Sequence, residues 1–207
     1  MKYIDKTVAD FTKEIASSSP APGGGGASAL AGAIAISLGD MVGELTTGKK
    51  KYADVEEDIR ALMDRAQKLR VRFLTLIDGD AEAFAPLARA YGIPKDDPNR
   101  AQIMEDALRT ACSVPMEIMR TCAEALDVIG EFAQKGSRIA ISDAGCGAIL
   151  CKAAMQAASL NVFINTKSMK DRTYAEGLEG EANAMLAQYC SVGDRIFDEV
   201  MERIKGV

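Results

Sequence analysis

Two aspartates, a lysine cluster, a glycine run and a pair of asparagines are the residues of this chain whose types and spacing could do chemistry. Asp80 stands in Asp78-Gly79-Asp80-Ala81-Glu82-Ala83-Phe84, and Asp143 follows Ser142 at the head of a small-residue segment. Each reads as a helix N-cap, a position that aspartate favours. A carboxylate at a helix end can cap and still face a ligand. Lys49-Lys50-Lys51-Tyr52 is a basic patch on an acidic chain. It reads either as cations closing a helix C-terminus or as a patch that attracts an anionic ligand and helps to activate a substrate. The run Gly23-Gly24-Gly25-Gly26 sits in a loop before a helix, where backbone N–H groups could hold an anion. No Gly-Lys-Ser/Thr follows it and no strand precedes it, so it is neither a Walker loop nor a dinucleotide fingerprint. Asn161 and Asn165 lie four apart and share one helix face. Amides among Leu160, Val162, Phe163 and Ile164 need hydrogen-bond partners if buried, and two in line point to a polar groove.

What is missing narrows the chemistry. The chain has no histidine and no tryptophan. Histidine-based triads, imidazole acid–base catalysis and the usual zinc, copper and haem ligands are therefore excluded. Proton transfer falls to Asp, Glu, Lys, Tyr, Cys or water, and no metal site is expected. A net charge of -5 argues against nucleic acid as a partner. The five cysteines contain no C-x-x-C, which argues against zinc and against a disulfide framework. Reduced thiols fit a cytoplasmic protein, with Cys112, Cys122, Cys151 and Cys190 used for packing. The start, Met1-Lys2-Tyr3-Ile4-Asp5, has no signal-like apolar core. The apolar run from Gly23 to Gly39 is too short and too rich in Gly and Ala for a bilayer, and Asp40 ends it. No membrane association is expected.

The elements that must position these residues are helices. Val55, Ile59, Leu62, Ala66, Leu69, Phe73 and Leu76 recur at steps of three and four, as do Leu178, Ala182, Met185, Tyr189, Val192, Ile196 and Val200. Ile103, Ala107, Ala111, Val114 and Ile118 form a third stripe, which Pro115 should kink or divide. Val8, Phe11 and Ile15 give a short opening helix. No stretch alternates with period two. Ala27–Leu45 and Ala144–Ile164 are crowded with Ala, Gly and Ser, so they are expected at the centre, with Gly32, Gly39 and Gly43 allowing close helix approach. The expectation is an all-α fold over residues 1–207 as one domain. It would be a multihelical bundle in which central small-residue helices are wrapped by long amphipathic ones.

Taken together, Pro20 to Gly26, Leu45-Thr46-Thr47-Gly48-Lys49-Lys50-Lys51-Tyr52, Asp80 to Phe84 continuing through Ala90 to Lys95, Ser142-Asp143-Ala144-Gly145 and Asn161 to Asn165 resemble the cyclodeaminase/cyclohydrolase family of one-carbon folate enzymes. The resemblance covers nearly the whole chain. Departures are Cys146-Gly147, where a small apolar residue is expected, and a glycine run one residue longer than usual. The resemblance implies a homodimer with a tetrahydrofolate derivative as substrate and no cofactor. It implies Asp80, Asp143 and Lys49 as catalytic residues, with the two aspartates divided between the reacting carbon and the pterin. Gly24, Gly25, Gly26 and Lys95 would receive the glutamate tail, and Tyr52, Asn161 and Asn165 would complete substrate binding. The reaction implied is hydrolysis of 5,10-methenyltetrahydrofolate to 10-formyltetrahydrofolate, which a free-standing domain favours. Ammonia release from formiminotetrahydrofolate is the alternative, and a non-catalytic folate-binding or helical interaction dimer is a third reading.

Overall fold

The computed structural model describes residues 2–206, and among them there are helices and turns but no strand. After a single 3₁₀ turn at Tyr3–Asp5 the helices are α1 (Val8–Ile15), α2 (Gly24–Glu44), α3 (Glu56–Ala90), α4 (Arg100–Lys135), α5 (Ile141–Thr166) and α6 (Arg172–Lys205). Short 3₁₀ turns at Lys50–Val55 and Arg138–Ala140 precede α3 and α5.

The small-residue helices α2 and α5 pack against each other, α3 flanks α2, α6 flanks α5, and α4 lies behind them. The α2/α5 pair is antiparallel: a Cβ on Gly24 would meet the Asn161 side chain, and one on Gly147 would meet the Ala35 carbonyl. The central glycines have the packing role their positions imply. A Cβ on Gly32 would fall 2.4 Å from the Phe73 ring, and one on Gly43 would fall 2.6 Å from Met63. The α3 stripe buries Ile59, Leu62, Ala66, Leu69, Phe73 and Ile77. Its ends differ from the expectation, because Val55 belongs to the preceding 3₁₀ turn and Leu76 yields the core position to Ile77. On α6, Ala182, Ile196 and Val200 are buried, and Leu178, Met185, Tyr189 and Val192 pack against the core.

Three expectations about local structure are corrected. Pro115 does not divide its stripe, since α4 runs unbroken from Arg100 to Lys135. Proline at this position leaves the Ala111 carbonyl without its i+4 donor. The Asn165 amide supplies one instead, Nδ2 to Ala111 O at 3.4 Å. Gly23–Gly26 is not a loop: Gly23 is the N-cap of α2 and the other three glycines form its first turn. Lys49–Lys51 do not close α2, which ends at Glu44 with no basic residue in its last turn; Lys50 and Lys51 open the next 3₁₀ turn. The apolar run also continues past Asp40, so that α2 and Arg138–Thr166 are each long and apolar enough to cross a membrane by length and composition. In this fold about half of each is buried against neighbouring helices, 56% and 44% of the most apolar window.

Candidate active site

Asp80 organises a cleft at the N-terminal end of α2. It lies inside α3 and not at a helix start, because α3 passes through Gly79 without a break. Its carboxylate therefore does not cap its own helix. It reaches across to the first turn of α2, where the Gly26 N–H donates to Oδ2 at 3.0 Å. The glycines make this approach possible: a Cβ on Gly25 would lie 2.1 Å from Asp80 Oδ1. The α2 N-terminus thus receives its negative charge from the chain itself, and the expected anion cradle at Gly24–Gly26 is occupied by Asp80. Burial raises the Asp80 pKa from its ordinary value, partly offset by the Gly26 N–H.

Around Asp80 the cleft is lined by Gly24, Phe84, Asn161, Ile164 and Asn165, with the Pro20-Ala21 loop on one side and Ala111 and Pro115 on the other. The loop is held by the Tyr3 hydroxyl, which donates to the Ala21 carbonyl at 3.1 Å, while the Tyr3 N–H donates to Asp78 Oδ1 at 2.6 Å. Asn161 donates through Nδ2 to the Ala157 carbonyl at 2.9 Å, one helical turn back, and its side chain lies against Gly24. Asn165 is 8% exposed and is committed to Ala111 through one N–H. Buried carboxylate, amides and an aromatic ring form a set suited to a flat, nitrogen-rich cationic heterocycle. The enclosed volume is about 150 Å³, below the 300–1,000 Å³ of a typical small-molecule site.

Not all the expected site residues meet here. Asp80, Gly24, Asn161 and Asn165 converge, whereas Asp143, Lys49 and Tyr52 lie at the other end of the bundle. α2 has 21 residues, so its two ends are roughly 30 Å apart. Asp143 and Asn161 occupy the same helix eighteen positions apart, or roughly 27 Å. Asp143 sits in the first turn of α5, whose N-cap is Ala140, so the expected capping role is not seen. Lys95 lines a second cleft with Asp97, Arg100, Met104, Glu105 and Lys170. That cleft adjoins the first along α4, where Leu108 and Ala111 are a turn apart. Phe84, Ile164 and Pro115 were not expected as site residues. Phe84 is one turn after Asp80 and Ile164 three residues after Asn161, so helical spacing was the signal that could have found them.

At the far end Tyr52 is held by the turn before α5. The Arg138 N–H donates to its phenol oxygen at 3.2 Å. Lys51 Nζ stands 5.6 Å from the ring centre. The Arg138 N–H lowers the Tyr52 pKa, and the charges of Lys51 and Lys49 lower it further. Among the described residues no cluster of three carboxylate or thiol side chains is arranged to hold a metal.

The formiminotransferase-cyclodeaminase family model matches residues 7–184. The chain is 38% identical to methenyltetrahydrofolate cyclohydrolase from Methylorubrum extorquens over 97% of this chain and 98% of that one. It is 29% identical to formimidoyltransferase-cyclodeaminase from Mus musculus over 89% of this chain, spanning 35% of that longer protein. The fold superposes on the crystal structure of formiminotetrahydrofolate cyclodeaminase from Thermotoga maritima with a TM-score of 0.83 at 28% identity. That match covers 98% of this chain and 97% of the other.

Proposed function

Because the chain belongs to the formiminotransferase-cyclodeaminase family, we propose that it hydrolyses 5,10-methenyltetrahydrofolate to 10-formyltetrahydrofolate. The observation that carries hydrolysis over deamination is the end-to-end match at 38% identity to the Methylorubrum extorquens cyclohydrolase. The substrate is a delocalised amidinium cation and is electrophilic as bound. Water adds to the carbon between the two nitrogens, and the bond to N5 then breaks to leave the formyl group on N10. The protein has to counter a positive charge in a desolvated cleft, hold the pterin and manage protons. Asp80, buried against the Gly26 N–H, supplies the countercharge where screening by water is weak. Asn161 and Asn165 present amides to the pterin edge, and Phe84 and Ile164 pack on its faces. The reaction needs no metal or cofactor, so a chelator leaves turnover unchanged.

The working unit in this reading is a homodimer. Opposite α4, helices α2 and α5 leave an apolar face that carries Ile34, Met41, Ile149, Leu150, Leu160 and Ile164, each at least 36% exposed. A second copy related by a two-fold axis crossing α2 at right angles would cover this face and reverse its ends. The partner's Lys49, Tyr52 and Asp143 would then stand over the Asp80 cleft, enlarging a pocket too small for a folate. Lys49 would orient the substrate, and Asp143 would supply the second carboxylate. A cytoplasmic location accompanies this reading, in keeping with cysteines that are free and mostly buried.

The test offers both folates to the purified protein. Loss of the methenyl near-ultraviolet absorbance above the uncatalysed rate is the expected result. Ammonia release from formiminotetrahydrofolate, without methenyl loss, would replace hydrolysis by the deaminase reaction. The full-length fold match to the Thermotoga maritima cyclodeaminase favours that reaction as the second reading.

A further inference from the structure

We propose that Tyr52 is a proton-transfer residue of this hydrolysis: its phenolate takes a proton from the attacking water, and the resulting phenol protonates N5 as the carbon–N5 bond breaks. The inference rests on the hydrolase reading and on the reversed two-fold arrangement above. It addresses what Asp80 leaves undone. A carboxylate that balances the amidinium charge at the floor of the cleft does not also need to shuttle protons, and the chain has no histidine for the task.

The geometry around the phenol is that of a group prepared to ionise. The oxygen accepts the Arg138 N–H at 3.2 Å, from the turn that leads into α5. Beside it is Ser137, which is 1% exposed and whose hydroxyl has no hydrogen-bond partner among the described residues. The position of Ser137 is fixed by its N–H, which donates to Thr46 Oγ1 at 2.8 Å; Thr46 in turn donates to the Val42 carbonyl at the end of α2. A backbone N–H thus reaches the phenol oxygen from a turn anchored to the end of α2. Lys51 and Lys49, on its own turn, act on the phenol as positive charges, Lys51 Nζ standing 5.6 Å from the ring centre. Each of these features favours the phenolate over the phenol.

The step balances without an added reagent. Water forms the new C–O bond, the amidinium π pair returns to nitrogen, and the phenolate takes one proton from the water. The carbinol then collapses: its O–H electrons form the formyl C=O, its proton leaves to solvent, and the C–N5 pair takes the proton from the phenol. The net change is methenyl cation plus water to formyl product plus one proton, with Tyr52 returned as phenolate.

The experiment uses the full-length protein and two readouts. In a phenolate absorbance titration one of the five tyrosines should ionise ahead of the others. Tyr52→Phe should abolish that early step. In the turnover assay Tyr52→Phe should lower kcat by about 10²- to 10⁴-fold, the usual worth of a positioned acid–base group, with KM within a few fold. It should also erase the rise of kcat with pH that coincides with the early phenol. Five tyrosines that titrate together, or Tyr52→Phe turning over within a few fold of an active wild type, would overturn the role of Tyr52 alone. A wild type that does not hydrolyse the methenyl substrate would overturn the underlying hydrolase reading and with it this proposal.

Discussion

Gly25→Ala tests the geometry of the Asp80 cleft with a single methyl group. The new Cβ would lie 2.1 Å from Asp80 Oδ1 and 2.4 Å from Cγ. Since real Cβ contacts essentially never fall below 3.0 Å, the carboxylate must recede by about 1 Å. Retreat lengthens the Gly26 N–H to Oδ2 bond, now 3.0 Å, beyond useful range. Loss of a hydrogen bond to a charged group costs about 1.5–3 kcal/mol. Replacing glycine within a helix returns up to about 1 kcal/mol. The net loss of stability is about 1 kcal/mol, or about 2–4 °C in Tm for a chain of this size. A misplacement of about 1 Å in an active site costs about 10²-fold in rate, which is about 2.7 kcal/mol of transition-state stabilisation. The assay pairs methenyl hydrolysis with a thermal melt. Gly180→Ala serves as the control, because nothing lies within 4 Å of its would-be Cβ on α6; it should gain slightly in stability and keep full activity. If Gly25→Ala retained turnover within about threefold of wild type while remaining folded, Asp80 would not be acting from the position described here.

Other outcomes follow from the same contacts. Burial raises the Asp80 pKa, so the fold favours the protonated acid. Its contribution to stability is fullest below the unfolded carboxylate pKa of about 3.9 and is lost as pH rises through the folded value. Asp80→Asn should therefore be at least as stable as wild type at neutral pH, with the difference closing in acid, as read by denaturant titration at several pH values. Asn165→Ala should lose about 1–3 kcal/mol by stranding the Ala111 carbonyl. The loss should shrink in a Pro115→Ala background, where residue 115 regains an N–H, and an additive double-mutant cycle would contradict this link. Mixing inactive Asp80→Asn with inactive Asp143→Asn after subunit exchange should restore up to about a quarter of wild-type activity, because half the dimers would carry one intact composite site. No recovery despite exchange would argue against the partner's Asp143 serving this cleft.

Much of this architecture was readable from side-chain periodicity. The stripes of α3 and α6 mark their buried faces, and the small residues of α2 and α5 mark the helices that must come closest. Asp80, Asn161 and Asn165 line one cleft, whereas Asp143, grouped with them from the sequence, lies at the other end of α5. Three features were hidden because tertiary contacts override local signals. Asp78-Gly79-Asp80 reads as a helix boundary, yet α3 continues because Gly79 is tolerated there while Asp78 and Asp80 bond to segments distant in sequence. Pro115 reads as a break, yet Asn165, fifty residues on, satisfies the carbonyl it strands. The glycine run reads as an open anion cradle, yet a carboxylate from α3 fills it. The separation of Lys49, Tyr52 and Asp143 from Asp80 was legible in principle. The length of α2 alone places its ends roughly 30 Å apart.

The most direct measurement of the central claim is the rate of methenyl absorbance loss with wild-type and Asp80→Asn protein, each shown folded by its melt. The account predicts catalysed loss with formation of 10-formyltetrahydrofolate by wild type, and a decrease of about 10²- to 10³-fold when the buried charge is removed. Equal rates for the two proteins would contradict it.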